Sequence, residues 1–207
     1  MKNAAVSLIG DTAAILPRPG SEPKQHRCSR PRRRCGAMCP MVWAAMIELP
    51  FTIKPVRSAA DLQAAVRLFQ AYASSLGIDL AYQDFATELA TLPGKYAPPA
   101  GELLLARHVS GTPLGCVALR PMVPAGCCEM KRLFVLPAGR GLGLGRALID
   151  AILAEAVRIG YHEVRLDTLP DMAEALALYR KAGFEPTDPY YDTPVAGTKF
   201  LRRSLGV

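Results

Sequence analysis

The residues with the clearest capacity for chemistry are glycines. Arg140-Gly141-Leu142-Gly143-Leu144-Gly145-Arg146 falls between a strand-like run ending Leu133-Phe134-Val135-Leu136-Pro137 and an amphipathic, helix-patterned segment. Alternating glycines accept positive φ and let a ligand approach the backbone closely. The unpaired N–H groups of a first helical turn, with the positive end of the helix dipole behind them, then form an anion cradle suited to a pyrophosphate. Two better-known cradles are excluded. A P-loop continues into Lys-Ser/Thr, and Arg146-Ala147 stands there instead. A dinucleotide G-x-G-x-x-G requires glycine at 146 or 148, and these are Arg146 and Leu148.

Other reactive side chains are less organised. His26, His108 and His162 have no partners at triad or metal-ligand spacing, so no metal is expected. Cys28, Cys35 and Cys39 are spaced seven and four apart, unlike the paired knuckles of zinc sites. Cys116, Cys127 and Cys128 lie in apolar runs and are expected to be buried thiols. With no disulfide framework and no continuous apolar leader, a reducing cytoplasm is the expected compartment.

The net charge of +7 is unevenly distributed. Residues 1–46 hold 8 Lys/Arg against 2 Asp/Glu, which leaves the remainder close to neutral. That segment also carries five prolines and five arginines between Arg27 and Arg34, without helical or strand periodicity. It is expected to be a disordered basic extension ahead of one domain over 47–207. The arginines could bind nucleic acid through phosphates, yet the domain shares none of that charge, so nucleic acid is disfavoured as a partner. No apolar run is long enough for a membrane helix.

The glycine turn must be held by neighbouring elements. Phe51–Arg57 alternates as a strand, and Ser58 with Asp61 three residues on marks a helix start. Leu62, Val66, Phe69, Ala73 and Leu76 form its expected apolar face, and Gly77 its stop. A short helix is expected over Gln83–Leu92. Glu102–His108 and Thr112–Arg120 suggest an antiparallel hairpin, and Cys127–Val135 a further strand. A long helix follows the turn to about Ile159, with Leu144, Leu148, Ile152, Leu153 and Ala156 on its apolar side. Glu163–Thr168, a helix over Met172–Ala182, a strand at Phe184 and one at Thr198–Arg203 complete the domain. This order predicts an α/β fold: a mixed sheet with helices on both faces.

Two motifs together resemble the GNAT superfamily of N-acetyltransferases. Arg140-x-x-Gly143-x-Gly145 after its strand resembles that family's acetyl-CoA motif. Ala175-Leu176-Ala177-Leu178-Tyr179-Arg180-Lys181-Ala182-Gly183-Phe184 resembles its later helix–strand motif. The resemblance covers roughly Phe51 to Arg203. It implies a sheet splayed between its two central strands with acetyl-CoA in the gap, and transfer of the acetyl group to a small-molecule or peptide amine. Main-chain groups of Leu133, Phe134 and Val135 would pair with pantetheine, and the amides of Arg140, Gly141, Leu142, Gly143, Leu144, Gly145 and Arg146 would hold the pyrophosphate. Members commonly carry Asn where this chain has Met172, so a side-chain contact to pantetheine is not implied here.

Within that resemblance, Tyr179 matches the usual general acid; otherwise it is a core aromatic. Glu129, a carboxylate in an apolar strand, is the candidate general base, with a charge paired to Lys131 or Arg132 as the alternative. If the strand is regular, Glu129 shares a side with Lys131, Leu133 and Val135. Tyr191 and Asp192, in a proline-bounded loop, are candidates for binding the acceptor. A silent acyl-CoA-binding module is the other outcome of the same motifs, and a homodimer is left open.

Overall fold

Ser58 begins the first helix as its spacing to Asp61 predicts: the Asp61 amide donates to Ser58 Oγ at 3.1 Å. The computed structural model describes residues 49–77 and 80–206, so the expectations for residues 1–46 lie outside the described residues. Seven strands run β1 Phe51–Pro55, β2 Glu102–His108, β3 Pro113–Met122, β4 Cys127–Val135, β5 Glu163–Thr168, β6 Glu185–Pro186 and β7 Lys199–Ser204. Four α-helices accompany them: α1 Ala59–Leu76, α2 Phe85–Thr91, α3 Leu144–Ile159 and α4 Ala173–Lys181.

The strands form one sheet in the order β1-β2-β3-β4-β5-β7-β6. Only β4 and β5 run parallel; the other neighbours are antiparallel. That arrangement follows from connection length, since α3 is the crossover that a parallel pair requires. The mixed sheet with helices on both faces is therefore present as expected.

Two apolar clusters cover the two faces. One joins α3, through Leu144, Leu148, Ile149 and Ile152, to Met130, Val135 and Leu166 of the sheet. The other joins α1 to Leu103, Leu105, Cys116 and Ala118. The buried face of α1 consists of Ala64, Ala65, Leu68 and Phe69, while Leu62 packs beside it. The expected stripe is thus rotated: the small Ala64 and Ala65 let the helix approach the sheet beside Leu68 and Phe69, while Leu62, Val66, Ala73 and Leu76 are only partly buried. Cys116, Cys127 and Cys128 are buried free thiols.

Strand β4 departs from regular alternation. Lys131 pairs with Ala118 and Phe134 with Cys116, so Val117 faces both Arg132 and Leu133. This is a β-bulge, and Arg132 adopts φ +58° within it. Alternation consequently slips by one. Leu133 and Val135 pack with the α3 cluster, whereas Phe134 packs with the α1 cluster. The expected shared side of Glu129 with Leu133 and Val135 does not hold; Glu129 and Lys131 face the other way.

Candidate active site

The β4–β5 ladder is short. It pairs Cys127 with Glu163, Cys128 with Val164 and Glu129 with Arg165, and then stops. Beyond it β4 continues to Val135, while β5 remains paired with β7 as far as Thr168. Among the described residues, the β5-facing main chain of β4 from Met130 onward has no strand partner, and the bulge at Arg132 falls within this stretch. At the mouth of this gap Lys131 Nζ donates to Asp167 Oδ1 at 2.7 Å, linking the strands where the ladder has ended.

The bulge is held from the α2 side. Arg132 Nε donates to Glu88 Oε1 at 2.8 Å and Nη2 to Glu88 Oε2 at 2.6 Å. The Tyr96 hydroxyl donates to Glu88 Oε1 at 2.9 Å. The Arg132 guanidinium also lies 5.1 Å from the centre of the Phe85 ring and 5.7 Å from that of Tyr72. Burial disfavours the charged form of Glu88, but the Arg132 guanidinium and the Tyr96 hydroxyl outweigh it and hold the carboxyl below its usual 4.5.

The glycine turn lies between β4 and α3. Gly143 is the N-cap of α3 with φ +73°, and Gly141 has φ +75°. A Cβ at either would meet nothing within 4 Å, so conformation rather than space calls for glycine there. No side chain caps the helix, which leaves its first amides available. The Arg146 side chain is engaged elsewhere, on Asp150 and on the Lys181 carbonyl. What the turn presents beside α3 is therefore backbone amide rather than this side chain.

On the opposite face, near the last rung of the ladder, lies a cleft of about 360 Å³ lined by Lys95, Arg120, Met122, Glu129, Tyr190 and Tyr191, among others. Glu129 is 2% exposed. Its Oε2 accepts from Arg120 Nε at 2.7 Å, and its Oε1 accepts from the Tyr190 hydroxyl at 2.9 Å. Lys131 Nζ stands 3.7 Å from Oε1. The carboxylate is therefore ion-paired, chiefly with Arg120, while Arg132 is committed to Glu88. Tyr190, Tyr191 and Phe200 pack edge to face with centroids 5.0–5.4 Å apart. Asp192 is exposed and does not line the cleft.

Tyr179 projects from α4, is 8% exposed, and packs edge-on against Phe184. Burial pushes its phenol well above the usual range, and proximity to Tyr72 and Asp167 adds to the shift. Tyr179 of α4 thus stands near both Tyr72 of α1 and Asp167 of β5. Sequence reasoning had not picked out Tyr72, Lys95, Arg120 or Asp167. Asp167 carried a faint signal as an acid in a buried strand; Lys95 and Arg120 carried none, because nothing in their local pattern marks a cleft wall. Among the described residues no group of three or more His, Cys, Asp or Glu is placed to hold a metal ion. No described helix is long and apolar enough to cross a membrane.

Residues 62–184 match the model of the Acetyltransferase (GNAT) family. The chain belongs to the GNAT family. It is similar, at 42% identity over 154 residues, to an uncharacterized N-acetyltransferase of Schizosaccharomyces pombe, covering 74% of this chain and 94% of the relative. An IAA acetyltransferase of Azospirillum brasilense is 40% identical over 103 residues, covering 48% of this chain and 67% of that protein. The GNAT fold is matched by a GNAT acetyltransferase of Staphylococcus aureus with a TM-score of 0.64 at 18% identity, covering 75% of this chain and 99% of the other. An acetyltransferase of Salmonella typhimurium, solved with its cofactor acetyl-CoA, has a TM-score of 0.55 at 21% identity over 76% of this chain and 95% of its own. The protein is accordingly an N-acetyltransferase.

Proposed function

We propose that the protein transfers an acetyl group from acetyl-CoA directly to the primary amine of a small molecule or peptide, with the amine entering through the cleft at Glu129. One observation carries this reading. Glu129 belongs both to the last rung of the β4–β5 ladder and to the cleft wall, so the cleft borders the point where the strands part. The gap, the uncapped α3 terminus and the two positive-φ glycines suit acetyl-CoA. Main-chain groups of Leu133, Phe134 and Val135 would hold its pantetheine, and the amides from Arg140 to Arg146 its pyrophosphate. Bound there, acetyl-CoA supplies a thioester carbon for attack and a thiolate as leaving group.

The acceptor must lose a proton first. A lysine-like amine of pKa about 10.4 is neutral in roughly one molecule in 2,500 at pH 7, an expense of about 4.6 kcal/mol. Tyr190 lines the cleft and donates to Glu129 Oε1, so the phenol can pass the amine's proton to the carboxylate as it accepts it. Arg120 ion-pairs Glu129 at 2.6 Å and Lys131 Nζ stands 3.7 Å from its other oxygen, so the carboxylate is held in place beside Tyr190. On the departing side Tyr179 stays protonated at neutral pH and is the donor to the thiolate. The buried thiols are consistent with a reducing compartment.

Calorimetric titration of the full chain with acetyl-CoA, followed by thiol release with a panel of amines, tests the proposal. Saturable binding and amine-dependent release are expected. Binding without release for any amine would instead indicate a silent acyl-CoA-binding module.

A further inference from the structure

We infer that the acceptor is a small amine that also bears a carboxylate, attached to an apolar body, and that Lys95 and Arg120 recognise that carboxylate. The inference rests on the proposal that the cleft receives the amine.

The charges around the cleft carry it. Two carboxylates stand near the strand gap, Glu129 and Asp167, and each already has a cation: Arg120 on Glu129 at 2.6 Å and Lys131 on Asp167 at 2.7 Å. All four side chains are at least partly buried, with exposures of 26%, 3%, 8% and 12% for Arg120, Glu129, Lys131 and Asp167. A second ammonium, as on a diamine, would find neither acid free. Lys95 in contrast lines the cleft, is exposed, and makes no ion pair among the described residues. Arg120 places Nε and Nη2 on Glu129, and its Nη1 has no hydrogen-bond partner among the described residues. Guanidinium and ammonium groups with donors to spare suit a carboxylate. The remaining wall is Pro121 and Met122 with the two tyrosine rings, which suits an apolar body. About 360 Å³ lies toward the small end for ligand sites and fits a molecule of amino-acid size.

The test compares L-phenylalanine with L-phenylalaninamide as acceptors for the full chain, each with saturating acetyl-CoA. The amide has the less basic amine, so intrinsic reactivity favours it and works against the expected result. A kcat/KM for the carboxylate at least tenfold above that for the amide is expected, the size of one hydrogen bond to a charged group. In Lys95→Glu this ratio should fall by about tenfold; a ratio between two substrates cancels any general loss of folding or acetyl-CoA binding. Equal or better use of the amide, or an unchanged ratio in Lys95→Glu, would overturn the inference while leaving transfer intact. Preference for 1,4-diaminobutane over both would overturn it as well. Absence of release with every amine, despite acetyl-CoA binding, would sink the acceptor-site proposal and this inference together.

Discussion

The two ends of the proposed site are built by opposite means. At the turn before α3, Gly141 and Gly143 need no side-chain partner: each holds positive φ with open space around it, and in the proposed site the amides of the next turn would do the binding. Around the cleft, Glu129, Arg120, Tyr190, Lys131 and Asp167 are each held by another side chain, from β3, β4, β5 and the loop before β7. The first is a property of about seven consecutive residues. The second exists only when distant segments have met. Damage to the turn should therefore stay local, while damage at the cleft and its supports should propagate through shared charges.

The largest expected effect lies between the two. Tyr179→Phe should lower kcat by about 10²- to 10⁴-fold with little change in acetyl-CoA affinity, the usual range for losing a positioned acid. Steady-state rates beside a calorimetric titration will check this; an unchanged kcat would make Tyr179 a core aromatic only.

Next comes the support of the bulge. Glu88→Gln removes the carboxylate that compensates the buried Arg132 and should cost about 3–5 kcal/mol of unfolding free energy in urea. The folded-state pKa of Glu88 is depressed, so its stabilisation is present above about pH 4.5 and lost as pH falls through the lower folded value. The variant should lack that acid-side loss. Parallel pH profiles for the two proteins would refute the assignment.

The smallest effect belongs to the turn. Gly143→Val forces a β-branched residue toward a conformation costing roughly 1–2 kcal/mol or more, so acetyl-CoA should bind about tenfold more weakly. Undiminished affinity would remove the turn from the cofactor site and dissolve the contrast with the cleft.

Legibility in the sequence follows the same division. Ser58 and Asp61, the strand Cys127–Val135, the helix over Leu144–Ile159 and the strand Glu163–Thr168 were all readable, because caps, alternation and helical spacing are set by neighbours within a few residues. The expected α1 face shares only Phe69 with the buried one, because which of several apolar arcs meets the sheet is decided by the packing and not by the spacing. The bulge at Arg132 was not legible, because an arginine at positive φ has no local signature and is kept there by Glu88, 44 residues away. Asp192, marked by its charge beside two tyrosines, proved exposed and outside the cleft, whereas Lys95 and Arg120 line it.

By itself the sequence determined the order of elements, the mixed sheet and the glycine turn, since each depends on short-range backbone preference and apolar period. Only the tertiary structure decided where β4 leaves β5, which cations neutralise Glu129 and Asp167, and which side chains wall the cleft. Those depend on contacts between residues tens of positions apart, where the energy lies in pairings of charge and burial that no local pattern records.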